Sequence, residues 1–145
     1  MKNEYLRHTI STINYRFQKA TKNTDDKFGS FNLGKGSRSI NEIINHLYHI
    51  LLFTKAFIEK EKYVDEIPEK LSLTMEIERF KVELKRIDNI LKTKGLKIEH
   101  AKRLLQGPFS DILTHIGQIS MLQRLNDKPI EGEDFSSAPI QTGLL

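Results

Sequence analysis

The chain has 145 residues, 38% hydrophobic and 29% charged, which is enough to bury one sizeable core and too apolar for a disordered segment. It contains no cysteine, which excludes disulfides and thiolate metal sites, and no uninterrupted apolar run of membrane-spanning length. The net charge is +4, but the basic residues are scattered among acids, as in EKEKYVDEIPEK and EIERFKVELKRID, a pattern of solvated helix faces rather than of a nucleic-acid surface.

The periodicity predicts four long helices in a single domain over 1–145. The first runs over about 2–22, with Leu6, Ile10, Ile13 and Phe17 on one stripe. This amphipathic start lacks the continuous apolar run of a secretory signal, so a cytoplasmic protein is expected. The segment KNTDDKFGSFNLGKGSRS follows as a loop long enough to cross a bundle. A second helix opens at SINE, where Ser39 and Glu42 have capping-box spacing, and extends to about Lys62. It carries two apolar stripes, one of Ile43, Ile50, Phe53 and Phe57 and one of Ile44, Leu47, Leu51 and Ile58. A helix apolar over so much of its circumference fits burial on more than one side, with a dimer interface as one use of the extra face.

After a turn around Pro68, a third helix is predicted over 72–94, where Leu73, Ile77, Phe80, Leu84, Ile87 and Leu91 alternate at steps of four and three. Gly95 then takes the position of a C-terminal cap. LKIEHAKRLLQ reads as a short helix, and Pro108 as the first turn of the last long one, to about Asn126; one kinked helix over 98–126 is the alternative. The tail, about 127–145, reads as irregular. Helices without strand patterning give an all-α fold, most simply a four-helix bundle.

Two groups of polar residues stand on apolar stripes. His46 falls in the series Ile43, His46, Ile50, and Asp111 and His115 lie one turn apart on the last helix, with Gln118 next along the same face. A buried carboxylate without a partner is costly, whereas a divalent cation favours the ionised acid and neutral imidazoles. Three such ligands leave positions for water or substrate, as in a catalytic site. The structural alternative is a hydrogen-bonded core histidine plus an Asp–His pair near a positive helix N-terminus. His49 reads as an outer-shell or structural residue, His8 and His100 as surface residues, and Tyr15, Asn14 and Tyr48 as residues able to line a pocket.

SINEIINHLYHILLF resembles the second-helix motif of the DinB/YfiT-like superfamily, and GPFSDILTHIGQISMLQRLNDKPI resembles its last-helix motif, with THIGQI the most specific element. The resemblance implies a four-helix bundle holding a divalent metal, usually zinc or nickel, on residues matched here by His46, Asp111 and His115. It also implies a homodimer and, among relatives, S-transferases using low-molecular-weight thiols, alongside a maleylpyruvate isomerase. Where the common pattern has histidine, this chain has Asp111, giving a two-histidine, one-carboxylate set with more room for iron or manganese. A metal-dependent thiol S-transferase or hydrolase acting on a small molecule is therefore expected. A non-catalytic, stress-associated bundle with a structural or lost metal is the alternative. No membrane partner is expected, and nucleic acid is disfavoured by the scattered charge.

Overall fold

In a computed structural model describing residues 1–145, the chain is all-helical, without strands. Four long helices, α1 (Glu4–Thr21), α2 (Ile40–Glu59), α3 (Leu73–Thr93) and α5 (Ser110–Leu125), are joined by a short α4 (Ile98–Leu104) and irregular connections. α1 packs on α3 and α5, and α2 packs on the same two, so α1 and α2 stand diagonally opposite. The long first connection thus crosses the bundle, as its length implies, and α2 and α5 become neighbours. Periodicity within each helix carries no information about that adjacency.

The core draws on every helix: Ile10, Ile13 and Phe17 from α1, Ile44, Leu47 and Leu51 from α2, Phe80, Leu84, Ile87 and Leu91 from α3, and Ile112, Ile116 and Ile119 from α5. Phe17 and Phe80 meet at its centre with ring centroids 4.3 Å apart. Of the two apolar stripes on α2, the core takes Ile44, Leu47, Leu51 and Ile58, while on the other stripe only Ile43 is fully buried and Phe53 is exposed. His46 therefore sits at the border of the core instead of within it. A bidentate ion pair between Arg7 and Asp88, both buried, ties α1 to α3 at 2.9 and 3.0 Å.

The helix ends show which sequence signals operate. Ser39 and Glu42 form the reciprocal capping box, with each side chain accepting from the other's backbone N–H. Gly95 does not cap α3, whose last turn ends in extended backbone at Lys94. Its free carbonyls are satisfied instead by the Asn3 amide, which donates to Leu91 and Lys94 at 2.8 and 2.7 Å, and by Lys2.

Pro108 follows the alternative reading, one kinked helix over 98–126. It starts no helix but lies inside a π-helical turn, Leu105–Phe109, that makes 98–125 one continuous, interrupted helix. Proline removes an N–H from the helical ladder and crowds the preceding carbonyl, and a wider turn accommodates that loss. The Ser110 backbone N–H closes the turn on the Leu105 carbonyl, to which its hydroxyl also donates.

Beyond α5 the tail runs back along α1. Glu133 accepts from Tyr15 at 2.6 Å and from Lys19 at 2.5 Å, Arg16 stacks over Phe135, and Gly143 donates to Ser11. The tail therefore lies along the helix diagonally opposite α2. No helix is long and apolar enough to cross a membrane.

Candidate metal centre

His46 on α2 and the pair Asp111 and His115 on α5 converge because those helices are neighbours and all three residues lie on the facing sides. Each offers one ligand atom, and the three atoms lie within 4.8 Å of one another. The His46 and His115 ring centroids are 4.8 Å apart, and His46 Nε2 is 3.8 Å from Asp111 Oδ2. Bound to a metal at about 2.1 Å, tetrahedral donors stand about 3.4 Å apart, so small side-chain rotations bring these three together. Exposure grades outward across the cluster, with side chains 11% exposed at His115, 28% at His46 and 47% at Asp111. Such a site is anchored at one side and open at the other.

His115 is held in the form a metal ligand needs. Its Nδ1 lies 2.8 Å from the Asp111 backbone carbonyl, an acceptor only, so Nδ1 carries the proton and Nε2 presents a lone pair. On the other side of the ring, the donor-only Arg38 guanidinium approaches Nε2 at 3.4 Å, consistent with the same tautomer. Burial holds the His46 imidazole below the ordinary histidine pKa; repulsion from Arg38 and His115 adds to this, and Asp111 opposes it. Neutral imidazoles beside a carboxylate are the donor chemistry of a divalent-cation site.

The π-helical turn sets up Asp111. Because α4 and this turn precede it, Asp111 does not stand at a free helix N-terminus, and the helix-dipole reading of its position loses its basis. What remains of the structural alternative is the contact between Asp111 and His115, whose Oδ1 and Nδ1 are 3.3 Å apart.

Two clefts meet at His46, and Asp111 lines one of them. One, of about 860 Å³, is lined by Arg38, Asn41, Glu42, Asn45, His46 and Lys70. The other, of about 780 Å³, is lined by His46, Ile50, Phe53, Tyr63, Asp111 and Thr114. His49 and Asp65 border both, with His49 Nε2 2.9 Å from Asp65 Oδ1 but off the axis of a straight hydrogen bond. A cleft of about 780 Å³ between α1 and the tail contains none of the three candidate ligands.

Other residues singled out from sequence lie elsewhere. Gln118 is exposed and faces a separate groove with Leu33 and Met121. Tyr48 lies under Arg79, Tyr15 bonds to Glu133, and Asn14 accepts from Gln18. His8 is exposed and bonds to Thr142, whereas His100 is half-buried against the edge of Phe57. Arg38 was not legible as a site residue, because it precedes α2 in a polar loop and no periodic stripe includes it.

Compared with family models, curated proteins and solved structures, the chain matches none. The DinB/YfiT-like resemblance rests on the two motif blocks.

Proposed function

We propose that this chain is a divalent-metal-dependent protein of DinB/YfiT-like type, a thiol S-transferase or hydrolase acting on a small molecule. The observation that supports this most directly is the convergence of His46, Asp111 and His115, with His46 where two clefts meet and His115 fixed as an Nε2 donor. A bound divalent ion supplies a Lewis acid and lowers the pKa of a coordinated water or thiol. His46 and His115 supply neutral nitrogens and Asp111 the one negative charge. The exposed Asp111 side leaves room for a ligand to enter. Zinc and nickel suit the two imidazoles, and the carboxylate extends the range to iron and manganese.

A specific observation favours a second reading, a bundle that has lost its metal. Both His115 ring nitrogens have protein partners, Nδ1 the Asp111 backbone carbonyl and Nε2 the Arg38 guanidinium, as a purely structural histidine would. Reconstitution separates the two. Metal-free protein is loaded in turn with zinc, nickel, manganese and iron, then assayed for thiol transfer to an electrophilic small molecule and for ester hydrolysis. Turnover that appears on loading and disappears in His46→Ala supports the enzyme. Failure of all four ions to bind contradicts it. As the superfamily resemblance implies, we also take the protein to be a homodimer, which sedimentation at micromolar concentration tests.

A further inference from the structure

Arg38 is the residue just before the N-cap Ser39 of α2, and its only side-chain hydrogen bond is the 3.4 Å approach of Nη1 to His115 Nε2. That nitrogen carries the lone pair a metal would need, because Nδ1 is committed to the Asp111 carbonyl. One lone pair cannot serve both a guanidinium and a cation. Arginine stays charged and has no lone pair of its own, so it cannot join the ligand set. Loading the site therefore obliges Arg38 to leave Nε2 while remaining tethered beside it.

The charges around the cleft decide where it goes. Each acid bordering the larger cleft already has a partner: Glu42 accepts from Ser39 in the capping box, Asp65 contacts His49 and Tyr63, and Glu76 pairs with Arg79. The two cations there, Arg38 and Lys70, enter no salt bridge. A divalent ion on two neutral imidazoles and one carboxylate leaves one surplus positive charge, and Arg38 beside it makes two. An anionic ligand compensates that surplus, and the planar fork of a guanidinium matches a carboxylate or phosphate.

We infer that Arg38 is an anion-recognising gate at the metal centre: it holds His115 Nε2 when the site lacks metal, and it binds the oxyanion of the substrate when metal is present. The inference rests on the metal reading above and narrows its substrate to a small molecule bearing a carboxylate or phosphate. Arg38 has two opposed effects here. Its charge and its hydrogen bond compete with the cation, yet it strengthens the anion.

Cobalt(II) titration of the full-length metal-free protein, followed by visible absorption, tests both effects in wild type, Arg38→Gln and Arg38→Lys. Acetate and methyl phosphate are then added separately to each cobalt-loaded protein. Arg38 is an exposed loop residue, and equal melting temperatures of the metal-free proteins check that folding is unchanged. The expected result for Arg38→Gln is cobalt affinity above wild type, with affinity for at least one anion lowered about tenfold or more, the loss of a charged hydrogen bond. Arg38→Lys, keeping the charge without the fork, is expected between the two. Whichever anion responds assigns the substrate group. Equal anion affinity in wild type and Arg38→Gln, or cobalt affinity in Arg38→Gln no higher than in wild type, overturns the gate and leaves the metal centre standing. Absence of cobalt binding in wild type and both variants overturns the metal reading and the gate together.

Discussion

His46, Asp111 and His115 are individually ordinary residues, and their chemistry comes from what each one touches. The backbone contact at Nδ1 fixes the His115 tautomer, burial favours the neutral form of His46, and Asp111 brings the carboxylate. Asp111→Asn keeps the shape and removes the charge. Metal affinity is expected to fall by more than about a hundredfold, above the ten- to hundredfold typical of losing an outer partner, as isothermal titration would show. Asp111→His, the residue the resembled motif favours, should keep stoichiometric binding and shift competition toward zinc over manganese. The pH dependence follows from His46. Its folded pKa lies below the unfolded value of 6.5, so the unfolded chain takes up its proton first as pH falls. The stability His46 contributes is therefore complete above the ordinary histidine range and lost as pH drops through its lowered folded value. The check is denaturant unfolding of metal-free protein against His46→Gln, whose profile between neutral and acid pH should be flatter.

At the level of single helices, much was legible. The stripe of α3 and the capping box of α2 follow from spacing alone, and Ser39→Ala should cost about 1 kcal/mol in unfolding experiments. Two signals misled for definite reasons. Gly95 looks like a helix cap, but Asn3 satisfies those carbonyls from a distant part of the chain, which local sequence does not encode. Pro108 looks like a helix start, yet the chain passes through it by widening one turn. That widening gives Pro108→Ala a specific expectation. Proline costs about 3 kcal/mol in a helix interior, so the variant should melt no lower than wild type. A regular α-turn would alter the phase of Asp111 and His115 relative to α2, and metal affinity is expected to drop several-fold. A variant that melts lower and binds metal normally would remove the turn from any role in positioning the site.

Across the whole molecule, the decisive fact is adjacency. Each helix shows which of its faces is apolar, but only the diagonal placement of α1 and α2 brings His46 to α5. His46 was legible as an anomaly and Asp111 with His115 as a pair; their meeting required the tertiary arrangement. The core is continuous across all the long helices and needs none of the three side chains to close it, so metal removal is expected to leave helix content unchanged by circular dichroism. Metal at a thousandfold excess over its dissociation constant should add about 4 kcal/mol of stability, raising the melting temperature by roughly 10 °C for a chain of this size. Whether these three side chains form one metal centre is decided by metal analysis of protein purified without an affinity tag, beside His46→Ala and Asp111→Ala. Near-stoichiometric metal in wild type, lost in both folded variants, is the predicted result. Wild type that holds no metal, even after reconstitution with zinc, nickel, manganese and iron, would contradict the claim and leave Asp111 and His115 as a structural pair.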